Sequence, residues 1–177
     1  MQAMPTSGKS YHHGDLRAAL LDAADALLDE GGDGAVSLRE AARMAGVSPT
    51  AAYRHFADKE ALLAALALRG FEAFGAAMGQ AVALGGVSPH VARGRAYIRF
   101  ALARPGRFRL MFGPLLARSP AHPALLAASR QAFAALQADA GGREAALRGW
   151  GMVHGLALLI LDGAIPEDGD LIEKLIR

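Results

Sequence analysis

Residues 37–59, SLREAARMAGVSPTAAYRHFADK, hold the side chains with the most chemistry to offer a partner. The second half of this stretch predicts a short helix from Pro49 to about Phe56. Pro49, Thr50, Tyr53 and Arg54 spread around its outer side, while Ala52 and Phe56, four apart, face its partners. A helix laid in a DNA major groove uses its N-terminal residues on base edges and flanking groups on phosphates, and these residue types fit that task. A first helix must position it. Ser37, with Glu40 three residues on, forms a capping box that starts this helix at Leu38. Leu38, Ala41, Ala42 and Ala45 give it a narrow face of small side chains. Gly46 permits the left-handed conformation that closes a helix, and Val47 plugs the corner. Ser48 as N-cap and Pro49 at the first helical position restart the chain. The same spacing also suits an ordinary helical hairpin in an all-α domain.

The remaining elements are helical as well. Leu16, Leu20, Ala23, Ala24, Leu27 and Leu28 mark one face of a helix from about Gly14 to Gly31 and Gly32, placed to brace the motif. Gly32 and Gly34 follow a helix rather than a strand and lack the remaining glycine and lysine pattern of a phosphate loop. After an Asp58 N-cap a long helix follows, with Leu62, Leu63, Leu66, Phe71 and Phe74 inward, until Gly85 and Gly86 break it. Ser88 and Pro89 start another, which runs to the break at Arg104, Pro105 and Gly106. The short piece RFRLMFG follows, and Ser119 with Pro120 and Pro123 opens a further helix that stops at Gly141 and Gly142. Residues 143–164 are nearly apolar in their second half, which requires burial on most sides. Pro166 and Gly169 separate them from the amphipathic tail DLIEKLIR. Trp150 and His154 lie four apart and share a side of their helix, where a histidine is commonly a hydrogen-bonded core residue.

Composition bounds the function classes. The chain has 177 residues, no cysteine and an overall charge of +2. Disulfides and thiolate metal sites are thereby excluded, and a reducing cytosol is the expected compartment. The start MQAMPTSGKS lacks the apolar stretch of a signal peptide, and no uninterrupted apolar run of transmembrane length is evident. Aromatic residues make up only 6%, which argues against a base-stacking sheet. Residues 1–60 carry six lysines and arginines against nine acids, so the motif half is not basic in bulk. Its acids gather on the first helix, whereas Arg39, Arg54 and Lys59 belong to the motif. Residues 1–10 are expected to form a polar tail from which Lys9 can reach DNA; a tail with no role is the alternative. The adjacent His12 and His13 cannot share one helix face and read as solvent-exposed rather than metal ligands. Between Glu72 and Asp139 there is no acid, yet eight arginines fall there: Arg93, Arg95, Arg99, Arg104, Arg107, Arg109, Arg118 and Arg130. Such a run predicts a solvated face paired with acids elsewhere; an anionic effector or an extra DNA contact is the alternative.

The runs YHHGDLRAALLDAADALLDEGG and SLREAARMAGVSPTAAYRHFADKEALLAAL closely resemble the DNA-binding domain of the tetracycline-repressor (TetR) family of bacterial transcriptional regulators. GVSPTAAYRHFADKEALL is the most specific piece, and WGMVHGLALL resembles a Trp-His-Gly signature of one group of C-terminal ligand-binding domains in that family. The resemblance implies an all-α fold with a flexible tail at 1–10, a helix-turn-helix domain at 11–58 and a ligand-binding and dimerisation domain at 59–177. It also implies a cytoplasmic homodimer, joined through its last two helices, that binds a palindromic operator under the control of a small molecule, with no cofactor or metal. Carried over residue by residue, it makes Arg39, Pro49, Thr50 and Arg54 candidates for base-edge contact, through arginine–guanine hydrogen bonds and packing on thymine methyls. Ser37, Ser48, Tyr53, His55 and Lys59 are candidates for phosphate contact. Ala51 and Ala52 depart from the larger residues commoner in the family. Tyr97, Phe100, Phe108, Met111, Phe112, Phe133, Trp150 and His154 are candidates for the effector pocket, and each also serves as plain core.

Two other classes stand against this reading. A small helical enzyme would need a nucleophile elbow, a zinc-spaced histidine and carboxylate set or a complete phosphate loop, and none is present. A dimeric scaffold that does not touch DNA would have no use for an outward Tyr53, Arg54 and Lys59.

Overall fold

The computed structural model describes residues 13–138 and 140–177, with side chains from residue 16 onward. The tail at 1–10 with Lys9, and the side chains of His12 and His13, lie outside the described residues. Among those described there are ten α-helices, one 3₁₀ turn and no strand. In chain order they are α1 (His13–Ala35), α2 (Leu38–Met44), α3 (Pro49–Tyr53), α4 (Lys59–Leu84), α5 (Pro89–Ala103), α6 (Pro105–Phe112), α7 (Pro114–Ala117), the 3₁₀ turn Ser119–Ala121, α8 (Pro123–Ala138), α9 (Arg143–Leu161) and α10 (Leu171–Leu175).

The starts follow the predicted caps. Backbone N–H groups of Glu40, Ala51, Ala61 and Val91 donate to the side chains of Ser37, Ser48, Asp58 and Ser88, at 3.1, 3.3, 2.7 and 3.4 Å. One half of the capping box is absent. The Glu40 carboxylate does not return to the start of α2 but accepts from Arg43 Nε at 2.9 Å, because the guanidinium one turn on offers a charged donor. This contact holds the Glu40 carboxyl below its usual range. The helical course of α1 breaks at Gly31 and at Gly32, whose φ of 68° suits glycine, and Ala35 is reached by a separate turn. Two further differences are local. α3 stops at Tyr53 rather than Phe56, with Arg54 as its C-cap, and α8 begins at Pro123 after the 3₁₀ turn. Pro105 and Gly106 do not merely break the chain; Pro105 opens α6.

A single buried apolar cluster runs through the molecule, from Leu20 and Leu28 on α1 through Leu62, Phe71 and Phe74 on α4 to Tyr97, Phe108, Val153 and Ile176. α4 is its axis and packs on α1, α5, α6 and α8. Each Leu or Phe buried here contributes roughly 1.5–3 kcal/mol. α4 and α9 are both long and apolar enough, by length and composition alone, to cross a membrane, although Arg69 and Glu72 interrupt the first and Arg148 the second. In α4 half of the most apolar stretch is buried within the fold, as in a core helix, whereas in α9 the buried share is 17%. The expected burial of α9 on most sides is therefore absent within one chain.

Candidate nucleic-acid interface and cavity

α2 and α3 form the expected pair. The N–H of Val47 donates to Ala42 O at 2.9 Å across Gly46, whose φ is 70°, so the turn is closed by backbone and needs no side chain. Ala52 is fully buried and Phe56 nearly so, with the Arg17 guanidinium 5.1 Å from the Phe56 ring centroid. Packing of Ala52 and Phe56 on α1 and α2 fixes the rotation of α3. Pro49, Thr50 and Arg54 are exposed as a result, and so is Tyr53, at 50%. Arg39 is exposed on α2. Ser37 and Ser48 are occupied as caps, and His55 is half-buried. Lys59 donates to the carbonyl of Asp33 at 2.7 Å, which ties the start of α4 to the last turn of α1 and leaves an ammonium with two further donors exposed.

The adverse charge of this half is resolved by pairing. Asp22, Asp25 and Asp29 stand on one side of α1 and meet Arg69 of α4, Arg107 of α6 and Arg104 at the start of α6. Glu60 meets Arg118 at 3.1 Å and His122 at 3.2 Å. Acids of the motif half thus serve as fasteners to the body. The arginine run behaves largely as a paired face: Arg99 meets Glu173, Arg109 meets Asp162, and Arg95 donates to the Ile176 carbonyl at 3.1 Å.

A cavity of about 420 Å³ lies in the body, walled by Phe71 and Phe74 of α4, Tyr97 of α5, Phe112 of α6, Leu126 and Phe133 of α8, and Trp150 of α9. Of the eight aromatic, methionine and histidine candidates, Tyr97, Phe112, Phe133 and Trp150 reach its wall. Phe100, Phe108, Met111 and His154 do not; Phe108 and Met111 are fully buried in the packing around it. Hydrophobic periodicity cannot separate these groups, because both point inward from the same helices. Ser119, Ser129, Arg130 and Gln137 complete the polar part of the lining; Arg130 was named in the arginine run but not assigned to a pocket, and the other three were not recognised as lining. The missing-acid segment was the available signal for Arg130.

Trp150 Nε1 donates to the Tyr97 hydroxyl at 2.9 Å, and that hydroxyl meets His154 Nδ1 at 2.9 Å. In the arrangement that uses every donor, Tyr97 passes its proton toward Nδ1 of a neutral ring. Burial raises the Tyr97 pKa well above the usual phenol value and lowers that of His154, so both are neutral at pH 7. Among the described residues no group of His, Asp and Glu is arranged to hold a metal ion.

The family model described as bacterial regulatory proteins, tetR family, matches residues 20–66, and the one described as tetracyclin repressor-like, C-terminal domain, matches residues 90–177. Among curated proteins none matches the chain. Among solved structures, a protein of unknown function from Rhodococcus sp. RHA1 is 30% identical, with 95% of this chain and 93% of that one covered and a TM-score of 0.78. A tetR-family bacterial regulatory protein from Rhodococcus RHA1 shares the fold at 18% identity, 91% and 93% coverage and a TM-score of 0.69. The multidrug binding protein EbrR, solved with imidazole, does so at 20% identity, 90% and 92% coverage and a TM-score of 0.65.

Proposed function

This chain belongs to the TetR family of bacterial regulatory proteins, and we propose that it represses transcription as a cytoplasmic homodimer that binds a palindromic operator and responds to a small molecule. Its place in that family makes it a transcription regulator and not an enzyme. The observation that carries the finer reading is the presentation of α3: Pro49, Thr50, Tyr53 and Arg54 stand exposed over a buried Ala52 and Phe56. Arg39, Pro49, Thr50 and Arg54 would read base edges, and Ser37, Ser48, Tyr53, His55 and Lys59 would hold phosphates. We assign residues 11–58 to reading DNA and 59–177 to sensing and dimerisation, and place Trp150, His154 and Gly155 with the Trp-His-Gly group.

Two features support dimerisation and control. α9 leaves Met152 and Leu159 exposed at 46% and 44%, and nothing approaches a Cβ built on Gly151 or Gly155, so an apolar, closely approachable face is left for a second copy. α10 contributes less than the sequence suggests, since Ile172 and Ile176 are buried within the chain and the tail is held to α5 by Arg95. For control, α6 carries Phe112 into the cavity wall and Arg107 to Asp25 of α1, so one rigid element touches both the cavity and the DNA-reading half.

Retention of genomic fragments by the purified protein, followed by sequencing at low and raised salt, tests the reading. Enrichment of a discrete palindrome with half-sites about 34 Å apart, lost as salt rises, is the expected result. Salt-sensitive retention without sequence preference contradicts operator recognition, and no retention contradicts DNA binding.

A further inference from the structure

The cavity's charge pattern narrows the class of molecule it takes, on the reading above that it is an effector site. No aspartate or glutamate is in its lining, and the segment from residue 73 to 138, which supplies most of that lining, contains none. Arg130 lines it while remaining solvent-exposed, and it makes no ion pair with any described residue. This sets it apart from Arg99, Arg104, Arg107, Arg109 and Arg118, each paired with a carboxylate. Deeper in, Ser119 is only 3% exposed, yet its hydroxyl has no hydrogen-bond partner among the described residues. No described side-chain polar atom is both shielded from solvent and unpaired, so that oxygen keeps some accessible surface, and Ser119 is part of the cavity lining. The other deep polar groups, Tyr97, Trp150 and Ser129, already bond within the protein.

We propose that the effector is an amphiphile with an aromatic or alkyl body held among Phe71, Phe74, Phe112, Phe133 and Trp150, and a terminal carboxylate paired with Arg130. The planar guanidinium can meet a carboxylate through two parallel hydrogen bonds. The aromatic wall would attract a cation by about 0.5–2 kcal/mol, but with no acid to neutralise it and Arg130 beside it a cation is disfavoured. A neutral molecule gains the apolar contacts and forgoes the charge pair.

Trp150 is the chain's only tryptophan and lines the cavity, so its emission reports occupancy directly. Three probes of equal shape, phenylhexanoate, phenylhexanol and phenylhexylamine, separate the charge contribution from the apolar one. The carboxylate is expected to bind about tenfold or more tighter than the amine, the scale of one charged hydrogen-bonded contact. Arg130→Gln should remove that advantage while phenylhexanol affinity changes far less, and Arg130→Glu should reverse the order. Because Arg130 is exposed, both variants should melt as the natural sequence does, which certifies an intact fold. An amine that binds as tightly as the carboxylate, or a preference that survives Arg130→Gln, overturns the charge assignment alone. If none of the three alters Trp150 emission, the effector-site reading itself fails, and this proposal with it.

Discussion

At the level of single residues, the Trp150, Tyr97 and His154 chain is the most sensitive feature of the body. His154 is kept neutral by burial, with its pKa below the ordinary histidine value. A folded-state pKa below the unfolded one means that the unfolded chain binds more protons in the window between them. The stability from neutral His154 is therefore complete above the unfolded value of about 6.5 and falls as pH drops through the folded value. Thermal melts from pH 8 to pH 5 should show a decline that His154→Asn lessens; equal declines in both proteins would contradict the assignment. The four-residue spacing of Trp150 and His154 made their shared side legible, but nothing local pointed to Tyr97, which lies 53 residues from Trp150. Its role depends on a tertiary approach of α5 to α9 that no local pattern encodes.

Helices and their joints carry the next predictions. Asp25 and Arg107 are 12% and 11% exposed in their side chains, so the pair joining α1 to α6 is largely shielded from water. Removing one partner leaves a buried charge, at a cost of about 3–5 kcal/mol; Asp25→Ala should lie at the lower end because shielding is incomplete. Asp25→Leu combined with Arg107→Met should recover much of the loss in urea unfolding, and an additive loss would show that the charge pair is not the issue. At the start of α6, a Cβ on Gly106 would lie 2.6 Å from the Leu28 carbonyl oxygen. Gly106→Ala should therefore lower the melting temperature, whereas Gly75→Ala, with open space around it, should hold or raise it. Helix starts were legible because Ser37, Ser48, Asp58 and Ser88 act on backbone only three residues away. The end of α3 was not, because Ala52, Phe56 and the closing hydrogen bonds from His55 and Phe56 to the Ala52 carbonyl answer to packing against α1. The Asp25–Arg107 joint was equally hidden: the sequence shows acids on α1 and an arginine run in the body, but not which meets which.

For the whole molecule, the bare face of α9 predicts assembly. Met152→Glu with Leu159→Glu places charges on an exposed apolar surface, so the monomer's fold should be little affected. Sedimentation should show a dimer for the natural sequence and a monomer for this variant; a monomer in both cases would remove α9 as the interface. A monomer also presents only one α3, and its affinity for a two-half-site operator should collapse with it. Caps and helical spacing of the apolar residues pointed correctly to an all-α chain, yet the uneven charge of residues 1–60 was misleading when taken in bulk. Asp22, Asp25, Asp29 and Glu60 are neutralised by Arg69, Arg107, Arg104 and Arg118 of the body, leaving Arg39 and Arg54 exposed on the motif.

The most direct measurement is the affinity of the full-length protein for its recovered operator fragment, compared between the natural sequence and the paired variant Tyr53→Ala with Arg54→Ala. Both residues are exposed, so melting temperature should be nearly unchanged. With α3 as the reading helix, loss of one base contact and one phosphate contact per half-site should weaken binding by about 100-fold or more. Operator affinity kept within about twofold, in a protein that still melts normally, would contradict the assignment of α3 and with it the central account.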